Sequence, residues 1–576
     1  MSKGLIWDRD AIRLQVLNRV QSIRKGYRQN IAILGPEGVG KTSLLAGLAR
    51  DCGPVPDIHV VFLHLDFLSL EHFADLWIRA LIPNLGMGAD KFEKQESLPE
   101  MHLPLLQPSV RTMERLHLIR KMLRKGERPA AVLQEILALP NCLAEDCGKK
   151  FVLVLDEFDL LENLPVGDPF SVFGKAITTS KNVLYVLSSS RTERAAQILG
   201  EKLSLLFGQF EILELRPLNF AETIRYLRQH HPAIDLSHHQ SYFLRYMTGG
   251  FPVHMDLVLE QLRTIYPVAL ITHEQGGGSS GVKIPAEKLL KALHRELFDR
   301  RGRIFWIYER RMQDCRRFSK NSAPYVHALV AISSGRKKVS AIAAAIQRNQ
   351  VETKKILARL VAEEWVVRRG SFYSMEDALF RFWVRQIFTN VSLRFFDEAA
   401  FTEKTESELD RMYREFLEHT RQPIAQLVEK LLGRFRNDFV ELKDRQMKMP
   451  CFTEMLRRDQ GAGDALFYAK SRSSKWLFYV PSGFVREEDV IYLLKLLKKT
   501  RQRFEKKFLI TVYGIDQNAR LLAQEAGVMI WELNDLNDVL TAYDLMPVVP
   551  GIDKIAFTKE ALGFVVPELP LWTVAS

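Results

Sequence analysis

The run Ile31-Ala-Ile-Leu-Gly-Pro-Glu-Gly-Val-Gly-Lys-Thr-Ser-Leu-Leu45 constrains this chain more than any other stretch. A short apolar segment ends at Gly35 as a buried strand would, and the glycine-rich turn after it delivers Lys41 and Thr42 to the start of an apolar helix. Gly35, Gly38 and Gly40 let the backbone curl so that successive N–H groups point inward, and the helix N-terminus adds its positive end. The pattern reads as a phosphate-binding loop, Gly35 to Ser43. Lys41 would reach the β- and γ-phosphates of a nucleotide and Thr42 would hold Mg²⁺. A chance glycine-rich turn is the alternative, and the strand-before, helix-after context counts against it.

A chain of 576 residues exceeds a single core and fits about three to five domains. Its 47% hydrophobic and 26% charged residues are ordinary for globular protein, so no disordered or fibrous class is needed. No apolar run approaches the roughly 18 residues of a membrane helix, and the first residues lack the apolar core of a signal peptide. A cytoplasmic protein is therefore expected. Cys52, Cys142, Cys147, Cys315 and Cys451 include no CxxC pair, which argues against a disulfide framework or a zinc site and for free thiols. The formal charge of +12 favours a polyanionic partner or an anionic membrane surface without deciding between them.

Before the loop, Ile12, Val16, Val20 and Ile23 mark an amphipathic helix. After it, Ile58 to Asp66 reads as a second strand. The segment from about 86 to 149 is Leu-rich, basic and without a strand signal, as a helical insertion would be. Lys150-Phe-Val-Leu-Val-Leu-Asp-Glu-Phe-Asp159 then gives a buried parallel strand tipped by two acids. Asp156 would hold the Mg²⁺ water shell opposite Thr42, and Glu157 would act as general base on the attacking water. A fourth strand, Val183 to Ser190, runs into Arg191, whose paired N–H donors suit a γ-phosphate. Phe210 to Leu218 supplies a fifth, and helices follow.

Five landmarks in one order resemble the STAND class of AAA-like P-loop ATPases, in particular the archaeal-type ATPases. They are Trp7-Asp8-Arg9, the Gly35–Thr42 loop as Walker A, Leu155-Asp-Glu-Phe-Asp159 as Walker B, the strand Leu184 to Arg191, and Thr248-Gly-Gly-Phe-Pro252. The resemblance spans roughly the first 260 residues. It implies that Arg9 lies near the adenine, that Pro252 of the lid faces the base, and that a helical lid and the sheet domain close on ATP or ADP. Nucleotide exchange with slow hydrolysis would then make a switch.

The lid is expected over residues 217–317, with a Gly/Ser-rich tract at 274–281 that is either natural or an introduced linker. The arginine runs at 300–303 and 310–317 are open between phosphate contact and a solvated face. Residues 318–375 read as a winged helix. Asn349 and Glu352 cap its third helix, and Ile356, Leu357, Leu360 and Val361 face inward. Gln350, Thr353 and Lys354 are expected to face outward, toward DNA. A hairpin tipped by Arg368 and Arg369 would be the wing. A spacer or protein-contact role is the alternative.

A Phe/Trp-rich connector at 376–407 leads to an αβ pattern at 408–576 similar to the restriction-endonuclease-like domain that ends many archaeal-type ATPases. Such a nuclease needs an Asp and a Glu-x-Lys to hold its metal and assist the attacking water. Asp464 fits the first place, but Tyr468-Ala-Lys470 and Phe478-Tyr-Val480 lack the second acid, so an inactive binding domain is expected. The whole is thus expected to be a multidomain α/β protein with a P-loop NTPase parallel sheet, a helical lid, a winged helix and this C-terminal domain. The expected function is a slow ATP-dependent switch acting on DNA. The alternatives are an oligomeric DNA-remodelling or loader ATPase and a nucleotide-gated protein scaffold.

Overall fold

The computed structural model describes residues 10–52, 57–66, 69–82, 109–203, 208, 210–267, 282–317, 322–442, 445–461, 463–500 and 502–549. Trp7, Asp8, Arg9 and the whole Gly/Ser-rich tract lie outside them. The chain divides into two units: Met1–Asp235 with Thr248–Glu260 and Val268–Val282, and Leu236–Met247 with Gln261–Pro267 and Lys283–Ser576.

The first unit is built on five parallel strands, β1 (Asn30–Leu34), β2 (Ile58–His64), β3 (Lys150–Asp156), β4 (Val183–Ser189) and β5 (Phe210–Glu214), in the order β2-β3-β4-β1-β5. All five residues of β1 and all seven of β4 are buried, as strands covered on both faces must be. Successive side chains alternate between two cores. Ile31 and Ile33 pack with Val16 and Val20 of α1 (Asp10–Arg24) and Leu44 and Leu48 of α2 (Lys41–Cys52). Ala32 and Leu34 share the opposite core with Trp77 of α3 (Leu70–Leu81), Ile119 of α4 (Val110–Lys125), Ile136 of α5 (Pro129–Cys147) and Phe173 of α6 (Pro169–Thr179).

The stretch after residue 108 therefore covers one face of the sheet. Ser109 caps α4, and Gly126 and Gly148 end α4 and α5 at positive φ. Its basic side is matched locally, Arg111 with Glu145 at 3.1 Å and Arg115 with Glu135 at 3.3 Å.

Past β4 come α7 (Thr192–Gln197), then β5, then α8 (Phe220–His230) under an Asn219/Glu222 capping box. Helices α9 (His238–Thr248) and α10 (Pro252–Ile265) follow. Between these two, Gly250 has φ +85° and its carbonyl accepts from the Leu218 amide at 2.8 Å; a Cβ there would sit 2.3 Å from the Leu218 oxygen. Glycine is the residue that allows this approach.

The second unit includes the helices Ala323–Ser333, Val339–Ala345 and Gln350–Ala362, followed by an antiparallel hairpin, Val367–Arg369 with Phe372–Ser374. Farther on, five strands form a mixed sheet in chain order: Glu454–Asp459, Ala465–Lys470, Lys475–Val480, Lys506–Ile510 and Met529–Trp531. The first three are antiparallel and the last three parallel. Leu466, Leu477 and Leu509 pack beneath helices Glu487–Thr500 and Gln517–Glu525, and Phe467, Phe478 and Phe508 beneath Ile424–Leu432 and Leu533–Ala542.

The hairpin tip is docked on this domain. The Ser371 amide donates to the Phe439 carbonyl at 2.8 Å and the Ser371 hydroxyl accepts from the Phe439 amide at 3.1 Å. Buried Lys337 meets Asp544 at 2.7 Å, Lys338 meets Asp438 at 2.8 Å, and the Phe372 and Tyr543 rings stand 5.0 Å apart.

All five cysteines are free. Among the described residues no helix is long and apolar enough to cross a membrane.

Candidate functional site

Parallel pairing brings the C-terminal ends of β1 to β4 to one edge, with His64 opposite Asp156 and Leu34 opposite Ser189. Ligands of open parallel sheets bind at such an edge. Gly38 and Gly40 have φ +79° and +100°, the left-handed values the curled loop requires. A Cβ on Gly35 would come within 2.2 Å of the Leu215 carbonyl. Lys41 is buried, and its ammonium donates to the Gly35 and Pro36 carbonyls at 2.8 and 3.1 Å, inside the loop it belongs to. Ser43, next to Thr42, is half-buried at the first turn of α2.

Asp156, fully buried, is the hub. Thr42 Oγ1 donates to its Oδ2 at 2.7 Å, His64 Nδ1 lies 3.1 Å from the same oxygen, and the Ser188 hydroxyl donates to Oδ1. Burial pushes this carboxyl up, but the hydrogen bonds from His64, Ser188 and Thr42 outweigh it and hold Asp156 below its ordinary value. Asp156 raises His64 in turn, through the same hydrogen bond.

Glu157 has φ 59°, an uncommon conformation for a side-chain-bearing residue and a costly one. Its Oε2 accepts from both the Ser190 amide and hydroxyl at 2.8 Å. Burial raises its carboxyl above the usual range. Arg191 Nε lies 2.7 Å from Oδ2 of buried Asp159, and the Ser189 hydroxyl donates to Asp159 Oδ1 at 2.6 Å. The structure thus brings Lys41, Thr42, Asp156 and Glu157 together, and it turns Arg191 toward the acids Asp159 and Glu162. Pro252 is buried as the first residue of α10. Next to it, Val253 meets the loop: a Cβ on Gly38 would lie 2.6 Å from Val253 Cγ1 and 3.8 Å from the Phe251 ring. The place of Arg9 is outside the described residues.

His64 escaped the sequence reading: a lone histidine carries no motif, and the available signal was that β2 ends level with β3.

In the helix Gln350–Ala362, Gln350 and Lys354 are exposed, joined by Lys355. Thr353 corrects the expectation of an outward side chain: it is fully buried, with its hydroxyl donating to the Asn349 carbonyl at 2.8 Å. Its spacing from Ile356, Leu357 and Leu360 sets it on the core stripe of the helix. Arg368 and Arg369 are exposed but engaged: Arg368 Nε donates to the Gly370 carbonyl at 3.2 Å and Arg369 pairs with Glu376 at 3.4 Å. Asp464 accepts from the Tyr479 hydroxyl and the Ser482 amide, both at 2.8 Å, which fixes a turn of the second sheet.

Strand order, glycine turn and the Lys41, Thr42 and Asp156 geometry define a P-loop-like α/β unit. No family model and no curated protein sequence matches the chain. Among solved structures, a Walker-type ATPase of Pyrococcus abyssi is similar at 16% identity over 66% of this chain and 96% of that one, with TM-score 0.43. The ORC2 protein of Aeropyrum pernix, in ADPNP-ADP complexes, is similar at 12% identity over 67% and 93%, with TM-score 0.41. The ORC1 protein of the same organism, in complex with DNA, is similar at 14% over 67% and 94%, with TM-score 0.33.

Proposed function

We propose that this chain is an ATP-binding switch of the STAND type that hydrolyses ATP slowly and couples its nucleotide state to DNA binding through the winged helix. The observation that carries the reading is the joining of Thr42, at the phosphate loop, to Asp156, at the neighbouring strand tip, by a 2.7 Å hydrogen bond. A hydroxyl and a carboxylate adjoining in this way are the hard oxygen donors Mg²⁺ takes, so the residues fit the ion. When bound, Mg²⁺ would neutralise charge on the phosphates. Lys41, drawn to two carbonyls, would exchange them for phosphate oxygens, and the loop amides would orient the chain of phosphates.

The directions of the remaining groups support slow turnover. Glu157 has to leave Ser190 before it takes a proton from water, and Arg191 has to leave Asp159 before it meets a phosphate. The contact of Val253 with Gly38 supports a lid role for the start of α10, since a loop that shifts to hold phosphate must move that side chain. The exposed Gln350, Lys354 and Lys355 support duplex contact by the third helix of the winged helix.

One measurement separates this switch from a remodelling ATPase: turnover of the purified full chain with and without duplex DNA. The switch predicts slow, unstimulated turnover; fast turnover raised by DNA favours the oligomeric remodeller. The docked hairpin tip favours a second reading, a nucleotide-gated protein scaffold, because it engages the wing with the chain's own C-terminal domain. That domain is read as endonuclease-like in fold and inactive as a nuclease, given the partners of Asp464 and the lack of Glu-x-Lys.

A further inference from the structure

The helix Arg303–Arg317 exposes a tryptophan in a field of arginines that the nucleotide site and winged helix leave unused. Its buried side, Ile304, Phe305, Tyr308, Met312 and Cys315, fixes its orientation and turns Arg303, Trp306, Ile307, Arg310 and Arg317 to solvent. Trp306 is 55% exposed, a large apolar surface to leave in water. It is not loose: its Nε1 donates to the Arg300 carbonyl at 2.7 Å, and the Phe305 ring meets it edge-on at 5.4 Å. With its polar atom occupied, the ring offers an apolar π-face.

The surrounding charge is mostly positive, and Arg303 pairs with buried Glu296 at 3.7 Å while staying half-exposed. Residues 299–317 include seven arginines and three acids. Asp314 pairs with Arg317 at 3.4 Å, Glu309 pairs with Arg394, and Asp299 accepts from the Arg301 amide. Arg310, one turn from Trp306, has no carboxylate of its own among the described residues. Arg311 is turned inward, over the Phe380 and Trp365 rings, and takes no part.

We infer that this face is a second nucleic-acid surface, which takes a single strand: Trp306 stacks on an unpaired base while Arg303 and Arg310 meet the flanking phosphates. Charge complementarity selects a polyanion, and a fixed exposed indole selects one with accessible base faces over a paired duplex. The inference is separate from duplex contact by the Gln350–Ala362 helix and stands on its own residues.

The test is fluorescence anisotropy of the full chain with a labelled 30-nucleotide DNA single strand and with its duplex. Trp306→Ala should weaken single-strand binding about tenfold or more, and Trp306→Phe should restore most of it. Arg310→Glu should weaken binding and flatten its salt dependence. The Lys354→Glu, Lys355→Glu double variant should lose duplex affinity and keep the single strand. Single-strand affinity unchanged by both Trp306→Ala and Arg310→Glu, in variants with native melting curves, overturns the inference and assigns the face to a protein partner. Duplex affinity unchanged by the double variant overturns the winged-helix reading and leaves this one standing.

Discussion

Thr42 Oγ1 stands 2.7 Å from Asp156 Oδ2, and His64 Nδ1 approaches the same oxygen at 3.1 Å from the adjacent strand. Two chain segments 114 residues apart are thereby joined by one hydroxyl and one carboxylate. Asp156→Asn keeps the shape and removes the charge, so it should weaken Mg²⁺-dependent ATP binding about 10- to 100-fold while leaving metal-free ADP binding nearly unchanged. Titration calorimetry with and without Mg²⁺ reads the difference. Equal losses in both conditions would show that Asp156 acts on the fold.

Glu157 and Ser190 give a prediction about rate. Glu157→Gln should retain ATP binding and lower turnover about 10²- to 10⁴-fold, the span of general-base catalysis. Ser190→Ala removes the hydroxyl partner at 2.8 Å and leaves the amide, so the carboxylate is freer to turn to water and turnover should rise. Single-turnover phosphate release checks both. If Ser190→Ala slows the reaction, Ser190 positions Glu157 for catalysis and does not restrain it.

His59 ties stability to pH. Burial, with Lys149 adding to it, pushes its imidazole down from 6.5 to about 4, and its ring packs 4.9 Å from Phe151. A histidine depressed on folding contributes stability that is complete above about pH 6.5 and lost as pH falls through about 4. His59→Phe should shift acid unfolding of the first unit to lower pH, followed by near-ultraviolet circular dichroism. An unchanged midpoint would place the acid-sensitive group elsewhere.

The strands β1 to β4 could be read from sequence because burial on both faces gives them near-continuous apolar runs, and the glycine loop because its chemistry demands particular residues at fixed spacing. The hairpin Asp438–Leu442 with Arg445–Met449 and the edge strand Glu454–Asp459 could not, since half-exposed strands rich in Arg, Lys and Glu lose the apolar alternation. Thr353 was misread by its polarity, although its spacing from Ile356 and Leu360 already set it on the buried stripe. The partners of Glu157 and Arg191 depend on side-chain directions at a strand tip, which no periodicity reports.

Gly370 tests the docked hairpin. Its φ is +66° and a Cβ would lie 2.2 Å from the Phe439 carbonyl, so Gly370→Ala combines backbone strain with a backbone clash. Gly461→Ala, at φ +83° with open space around it, carries the strain alone. Hydrogen exchange should quicken at Ser371 and Phe439 in the first variant and stay native in the second. Similar exchange in both would remove the docking as a constraint on the hairpin.

The central claim is that the loop from Gly35 to Ser43 holds a nucleotide through Lys41. Binding of a fluorescent ATP analogue to the full chain and to Lys41→Ala, with circular dichroism confirming that both are folded, tests it most directly. Saturable, Mg²⁺-dependent binding that Lys41→Ala abolishes or weakens at least tenfold is the expected result. Binding of equal strength in both proteins, or none in either, would contradict it.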